Sequence, residues 1–151
     1  MYISIQTPLI NATAEIKLDF VDVSFYAPDL VIYRYHPNIH LTWEMVVELA
    51  NQTNAMIGYK PCYMCAVIGQ GLTIEKEVRE KGSTPEMLRY TKASAIVQNS
   101  LAHRILANFI IRVQRPIVPT RSFSKVEDAI AWFDHFKDLE KREKGSLLRT
   151  L

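Results

Sequence analysis

The sequence lacks several features that would assign it to a class at once. Only two of its 151 residues are cysteine, which excludes a disulfide framework and favours a reducing, cytoplasmic compartment. No run approaches the roughly 18 to 20 apolar residues that a membrane-spanning helix needs. Residues 1–17 contain neither the basic segment nor the long apolar segment of a secretory signal. The formal net charge of +2 gives no reason by itself to expect a nucleic-acid or membrane partner.

What is present is an alternation of strand and helix patterns, clearest between residues 93 and 133. β-rich segments at 93–98 and 117–123 are each followed by a helical pattern with its own start signal. Strands that alternate with helices in this way predict a parallel sheet with covering helices. Upstream, two β-rich segments flank Ala27-Pro28-Asp29, a turn sequence that predicts an antiparallel hairpin.

Further signals lie between the hairpin and that stretch. Thr42 precedes apolar residues at helical spacing, which predicts an N-cap and a helix that ends near Thr53 or Asn54. The unbroken apolar run at 62–68 is typical of a central strand that is covered on both faces. After this run, Thr73 is predicted to cap a short, highly charged helix.

The predicted order is β-β-α-β-α-β-α-β-α, in one α/β domain over residues 16–144. Residues 1–15 are expected to form an N-terminal strand or a flexible arm, and residues 145–151 a C-terminal tail. The helix after residue 99 carries the clearest apolar stripe, formed by Ala102, Ile105, Leu106, Phe109, Ile110 and Val113. Four aromatic residues on helix faces are interpreted as core or subunit-contact residues: Trp43, Phe109, Trp132 and Phe133.

Three short motifs accompany this order of elements. They are Asn99-Ser100, then Ala107-Asn108-Phe109 with Pro116-x-x-Pro119-Thr120, and Ala129-x-x-Trp132-Phe133. Over roughly residues 18–136, the chain resembles the small SpoIIAA-like proteins of the STAS superfamily (sulfate transporter and anti-sigma-factor antagonist). The resemblance implies a curved mixed sheet with helices covering mainly one side. It also implies a non-catalytic regulatory or protein-binding role.

The chain departs from that family at the site of its phosphorylation switch. Anti-sigma-factor antagonists of the family carry Asp-Ser-Ser-Gly after the third strand, and the serine is phosphorylated at a helix N-terminus. Here the corresponding segment reads Gly69-Gln70-Gly71-Leu72-Thr73, in which Thr73 is the only hydroxyl. The switch is therefore not transferred to this chain. Thr73 remains a candidate for phosphorylation because a helix N-terminus favours a phosphate.

Cys62 and Cys65 form a Cys-x-x-Cys motif, which in other proteins is a redox pair or half of a zinc site. Both cysteines belong to a predicted strand, where side chains three residues apart point to opposite faces. We therefore expect the two sulfurs to diverge. His36 and His40 would complete a set of four zinc ligands with the two cysteines only if the end of the hairpin lay next to this strand, from which it is distant in sequence. The favoured interpretation is two buried thiols and two loop histidines.

Basic residues are concentrated in one part of the chain. Between Glu86 and Glu127 there is no acidic residue, and the window contains Arg89, Lys92, Arg104, Arg112, Arg115, Arg121 and Lys125. On one face these residues would form a basic surface suited to phosphate, nucleic acid or an acidic protein. The favoured interpretation is that acidic residues from the N-terminal half neutralise them, because the overall charge is near balance.

The best-motivated site follows from topology, because open parallel sheets bind ligands beyond the carboxyl ends of their strands. Those ends are predicted to bring together Gln70, Thr73, Asn99, Ser100 and Arg121. Ser100 begins a helix and Arg104 lies one turn further on, so that backbone donors and a guanidinium would hold an anion or a partner. The alternative is ordinary N-capping by Asn99 or Ser100, with no ligand.

Together these observations predict a non-catalytic regulatory or protein-interaction module that is cytoplasmic and homodimeric, with a protein partner. No cofactor, metal or membrane partner is expected, and a nucleic-acid partner is not favoured. The main alternative is a small-anion or nucleotide binder, or an enzyme, that uses the pocket around Ser100, Arg104 and Arg121. A weaker alternative is nucleic-acid binding through the basic stretch at 87–126. Phosphorylation of Thr73 or Ser100 stays open.

Overall fold

A computed structural model describes residues 12–150, with side chains described as far as residue 147. The predicted strand or arm at 1–15 lies mostly outside the described residues. In chain order the elements are β1 (Ala14–Lys17), β2 (Val21–Tyr26), β3 (Leu30–Tyr35), β4 (His40–Leu41), α1 (Trp43–Met56), β5 (Cys62–Val67), β6 (Thr73–Ile74), α2 (Lys76–Lys81), β7 (Thr91–Val97), α3 (Leu101–Phe109), a π-helical turn (Ile110–Gln114), β8 (Thr120–Phe123) and α4 (Val126–Thr150).

Six strands form one mixed sheet in the order β1-β2-β3-β5-β7-β8. The first two pairings are antiparallel and the remaining three are parallel. The predicted hairpin is therefore β2–β3, and the predicted parallel strands are β3, β5, β7 and β8. From β2 to α4 the order is the predicted one, once the two-residue strands β4 and β6, which pair with each other, are set aside.

Local side-chain chemistry accounts for the boundaries of the first helices. The Thr42 hydroxyl accepts a hydrogen bond of 3.3 Å from the Met45 backbone N–H, which confirms the predicted cap of α1. The prediction that Thr73 caps the next helix is wrong. Thr73 lies in β6, where its N–H donates to the Ile39 carbonyl, and Glu75 is the residue that precedes α2. Pairing with β4 holds the backbone of Thr73 extended.

The core has two parts, one on each face of the sheet. One cluster includes Ile32, Tyr63 and Phe133 and lies beneath α4. The other includes Val31, Leu41 and Leu49 and lies beneath α1. Because successive side chains on a strand alternate between faces, β5 contributes to both clusters, as its unbroken apolar run predicts. Among the described residues, α1, α2 and α3 lie on one face of the sheet, in agreement with the prediction of helices mainly on one side, and α4 covers the opposite face.

The inner face of α3 differs from the predicted apolar stripe. His103 and Ala107 are buried, whereas Ile105, Phe109 and Val113 are exposed. The helix has apolar residues on two sides, and the side that faces the sheet contains a histidine. Phe109 is 38% exposed, so it is not a core residue, and a subunit contact stays a prediction for it. Phe133, at 1% exposed, is a core residue as predicted. No helix within residues 12–150 is long and apolar enough to cross a membrane.

Candidate functional site

The two cysteines lie on opposite faces of the sheet, as predicted. Cys62 belongs to the cluster beneath α1 and Cys65 to the cluster beneath α4, and both are buried free thiols. The two histidines have other contacts: the His36 ring lies 2.9 Å from the Asp19 carbonyl oxygen, and the His40 ring lies 2.8 Å from the Thr73 hydroxyl. Within residues 12–150, no group of three or more His, Cys, Asp or Glu side chains is arranged to hold a metal ion.

Ser100 and Arg104 lie in the first turn of α3. The Ser100 hydroxyl accepts a hydrogen bond of 3.1 Å from the His103 N–H, so Ser100 is the N-cap. The Arg104 N–H donates to the Ser100 carbonyl, and the Arg104 side chain is exposed. Asn99 precedes the cap and is exposed. This part of the predicted site is assembled, and its one observed role is to start a helix.

Gln70 and Thr73 lie in the connection that follows β5. The Gln70 carbonyl accepts a hydrogen bond of 2.7 Å from Asn38, and the Thr73 side chain contacts His40. Leu72, between them, accepts a hydrogen bond of 2.9 Å from His103 Nε2 and so joins this connection to α3. The two residues thus lie at the edge formed by β4 and β6, and it is their neighbour Leu72 that accepts the hydrogen bond from α3.

Arg121 is separated from the other predicted site residues. It pairs with Ala95 in the sheet, and its guanidinium lies 5.3 Å from the centre of the Phe123 ring. Phe123 in turn packs against Trp132 of α4. The Arg121 side chain therefore lies on the face of the sheet that α4 covers, whereas α3 lies on the opposite face. The structure does not bring Arg121 to Ser100 and Arg104.

A shallow depression does exist at the carboxyl ends of β5 and β7. Gln98 and Asn99 line one side of it and Lys125, Glu127 and Asp128 line the other. Its acidic residues come from the first turn of α4, so the depression is a poor site for an anion. Gln98 is buried, and its Nε2 donates to the Ser122 hydroxyl at 3.2 Å, which holds its amide in the sheet.

The outer side of α3 presents apolar residues to solvent. Leu101, Ile105, Phe109 and Val113 recur every four residues, and we call these four residues the apolar ridge. Three of them are 60% exposed or more, namely Leu101 at 70%, Ile105 at 61% and Val113 at 60%. Residues four apart on a helix lie on the same side. An aligned row of exposed aliphatic side chains is typical of an interaction surface.

Most basic residues of the 87–126 stretch, including two beside this ridge, form no ion pair among the described residues. Of the seven basic residues between Glu86 and Glu127, only Lys92 forms an ion pair within the described chain, with Asp29 at 3.6 Å and Glu140 at 3.3 Å. Among the described residues, Lys92 therefore pairs directly with the N-terminal half, through Asp29, and neutralisation of the other six residues at longer range stays a prediction. Arg104 and Arg112 are exposed beside the ridge on the same helical segment. The exposed surface of α3 is apolar along the ridge and basic along one side of it, because Arg104 and Arg112 lie eight residues apart.

A cavity beneath α3 was not predicted from the sequence. It measures about 230 Å³ and lies on the face of the sheet that α1 covers. Residues from α1, α2, α3 and six strands line it, so no local motif marks it. The sequence does contain one signal for this cavity, namely His103, because a histidine on the otherwise apolar inner face of a helix is unusual. His103 lines the cavity and is 9% exposed.

A polar cluster lies on the opposite face, beside the middle of α4. The Tyr63 hydroxyl donates to Glu140 at 2.9 Å, and Lys92 Nζ lies 3.3 Å from the same carboxylate. Burial raises the pKa of Glu140, but the hydrogen bonds from Tyr63 and Lys92 outweigh it and shift that pKa downward. Lys137 and Lys92 both pair with Asp29. These contacts attach α4 to the sheet.

The fold and these surfaces define a mixed α/β domain with a cavity beneath α3 and an exposed apolar helix face. Residues 25–137 match the family model described as a domain of unknown function (DUF7793), which covers most of the chain. The chain therefore belongs to this family. Neither the curated proteins nor the solved structures contain a match to it.

Proposed function

We propose that the chain is a non-catalytic protein-interaction module with a regulatory role. The observation that carries the proposal is the apolar ridge. Exposing aliphatic side chains of this size to water is unfavourable, by roughly 25 cal/mol for each Å² of apolar surface. A protein partner that covers the ridge would recover this free energy.

The charge around the ridge indicates the chemistry of the partner. Arg104 and Arg112 have no ion-pair partner among the described residues, so a surface with acidic residues would complement them. Such charge pairs chiefly increase the rate and specificity of association. An apolar surface flanked by carboxylates is the partner that fits both features.

The SpoIIAA-like fold is part of this proposal. It is supported by the predicted order of elements from β2 to α4 and by the mixed sheet with four helices. In the proposal, α3 and the adjoining ends of the strands serve as the binding face. The homodimer and the cytoplasmic location remain predictions, and sedimentation velocity tests the former.

The proposal is tested by affinity capture from the native host with wild-type protein and the double variant Ile105→Glu/Val113→Glu. Met56→Glu is the matched control, because Met56 is 48% exposed and lies on α1, away from the ridge. We expect the wild-type protein and the control to capture the same partner and the double variant to lose it. Equal capture by all three proteins would contradict the proposal.

The alternative of a small-anion site at Ser100, Arg104 and Arg121 is not favoured, because the Arg121 side chain lies on the face of the sheet opposite α3. Nucleic-acid binding through residues 87–126 remains a weaker alternative. Four exposed arginines without ion pairs among the described residues favour it, namely Arg104, Arg112, Arg115 and Arg121. It requires an affinity for DNA or RNA that falls steeply with salt, and undetectable binding at low salt would remove it.

A further inference from the structure

The cavity beneath α3 has apolar walls and a few polar groups. Leu41, Val46 and Ile68 are among its aliphatic lining residues. The polar lining includes Arg79 of α2 and His103 of α3. Ligand sites in proteins combine apolar walls with a small number of polar groups that fix orientation. Neither residue belongs to the apolar ridge, so this site is separate from the proposed protein-binding face.

Arg79 is the unusual member of the lining. Its Nε is buried and has no hydrogen-bond acceptor among the described residues. Arg79 also forms no ion pair within that part of the chain, and no described residue that lines the cavity is Asp or Glu. Buried donors are normally satisfied, and an unsatisfied one calls for an explanation. A guanidinium with a buried free donor, beside an apolar space without a carboxylate, lacks the anion that would normally neutralise it.

His103 supplies a second polar group. Its Nε2 donates to the Leu72 carbonyl at 2.9 Å, which fixes the ring in place. Because Nε2 carries the proton in this bond, Nδ1 of the neutral ring is an acceptor, so the carboxylate of a ligand would be held by Arg79 and not by His103. Arg79 and His103 belong to different helices and both line the same space.

We propose that this cavity binds a small monocarboxylate with an apolar body, with the carboxylate on Arg79 and the body against the aliphatic wall. A cavity of about 150 Å³ holds one benzene molecule. The space of about 230 Å³ therefore fits roughly nine or ten non-hydrogen atoms. Benzoate and octanoate have this size. The proposal goes beyond the protein-interaction role and does not depend on it.

The test is isothermal titration of the whole protein with benzoate and octanoate, each compared with its neutral amide. Benzamide has the size and shape of benzoate without the charge. We expect wild-type protein to bind at least one carboxylate, and to bind it about tenfold or more tightly than the amide. Binding of neither carboxylate, or equal binding of acid and amide, would overturn the proposal.

Two variants locate the site. Arg79→Gln removes the charge and should abolish the preference for the acid over the amide. Ala107→Leu fills the cavity, because Ala107 lines it and is buried, and it should weaken binding of both compounds. Arg104→Gln is the matched control on α3, outside the cavity, and should bind as wild type. If both Arg79→Gln and Ala107→Leu still bind the carboxylate as wild type does, the binding site lies outside the cavity and the proposal is refuted. If one variant fails to fold, the other variant and the comparison of acid with amide in the wild-type protein decide the outcome.

Discussion

His103 Nε2 donates a hydrogen bond of 2.9 Å to the carbonyl oxygen of Leu72, and both residues are buried. This bond joins α3 to the connection between β5 and β6. It explains how a histidine is accommodated on the otherwise apolar inner face of α3, because its polar atom satisfies a buried backbone acceptor.

Replacing His103 by phenylalanine should destabilise the fold. The ring is kept but the donor is lost, and the buried Leu72 carbonyl is left without a partner. We expect a loss of about 1–3 kcal/mol in the free energy of unfolding, measured by urea denaturation. His135→Phe is the matched control, because His135 is exposed on α4, and it should leave stability unchanged. Equal effects of the two variants would contradict the structural role of His103.

Two alanine-to-aspartate substitutions test which side of α3 faces the sheet. Ala107 is buried and Ala102 is exposed on the same helix. Ala107→Asp places a carboxylate in the core and should cost about 3 kcal/mol or more. Ala102→Asp lies in the first turn, where an acidic residue is tolerated, and should change stability by less than about 0.5 kcal/mol. Thermal or urea unfolding measures both, and the reverse ranking would show that the opposite side of α3 faces the sheet.

Cys62 and Cys65 should be unreactive in the folded protein. Burial raises the pKa of the Cys65 thiol to about 12, and burial is also the main cause of the raised pKa of Cys62. Both thiols are therefore protonated and shielded at neutral pH. We expect their reaction with a disulfide reagent at pH 8 to be on the order of 100-fold slower than in urea. A fast reaction of the native protein, or an internal disulfide after mild oxidation, would contradict their placement on opposite faces.

Glu140 should contribute to acid sensitivity. Its folded pKa is lowered, so the unfolded state binds the proton more readily, and the stabilisation is present above the unfolded pKa of about 4.3. This stabilisation is lost as the pH falls through the folded pKa. Glu140→Gln should therefore flatten the pH dependence of stability below about pH 4.3, measured by urea unfolding across the acid range. Glu143→Gln, on the same helix, is the control, and an unchanged acid profile in Glu140→Gln would contradict the contacts with Tyr63 and Lys92.

Local signals predicted most of the architecture. The turn at 27–29, the Thr42 cap and the apolar run at 62–68 each depend on neighbouring residues, and all three predictions are confirmed. The prediction for Thr73 failed because the capping pattern does not reveal that this residue pairs with β4. A tertiary contact determined its conformation.

The surfaces of α3 were harder to predict. Apolar residues occur on two sides of this helix, so the pattern could not identify the side that faces the sheet. The cavity was beyond local analysis because Arg79 and His103 meet there from separate helices. Topology did predict that Ser100 would begin a helix beyond a strand end. It could not predict that the Arg121 side chain lies on the opposite face of the sheet from α3, because this depends on the register of β8 against β7.

Site-specific photocrosslinking in the native host tests most directly whether the apolar ridge binds a protein partner. A photoreactive amino acid would replace Ile105 or Val113 in the apolar ridge, and Met56 on α1 as the control. The protein-interaction account predicts that both ridge positions form a crosslinked adduct of one discrete mass and that position 56 does not. Adducts from none of the three positions, or the same adducts from all three, would contradict it.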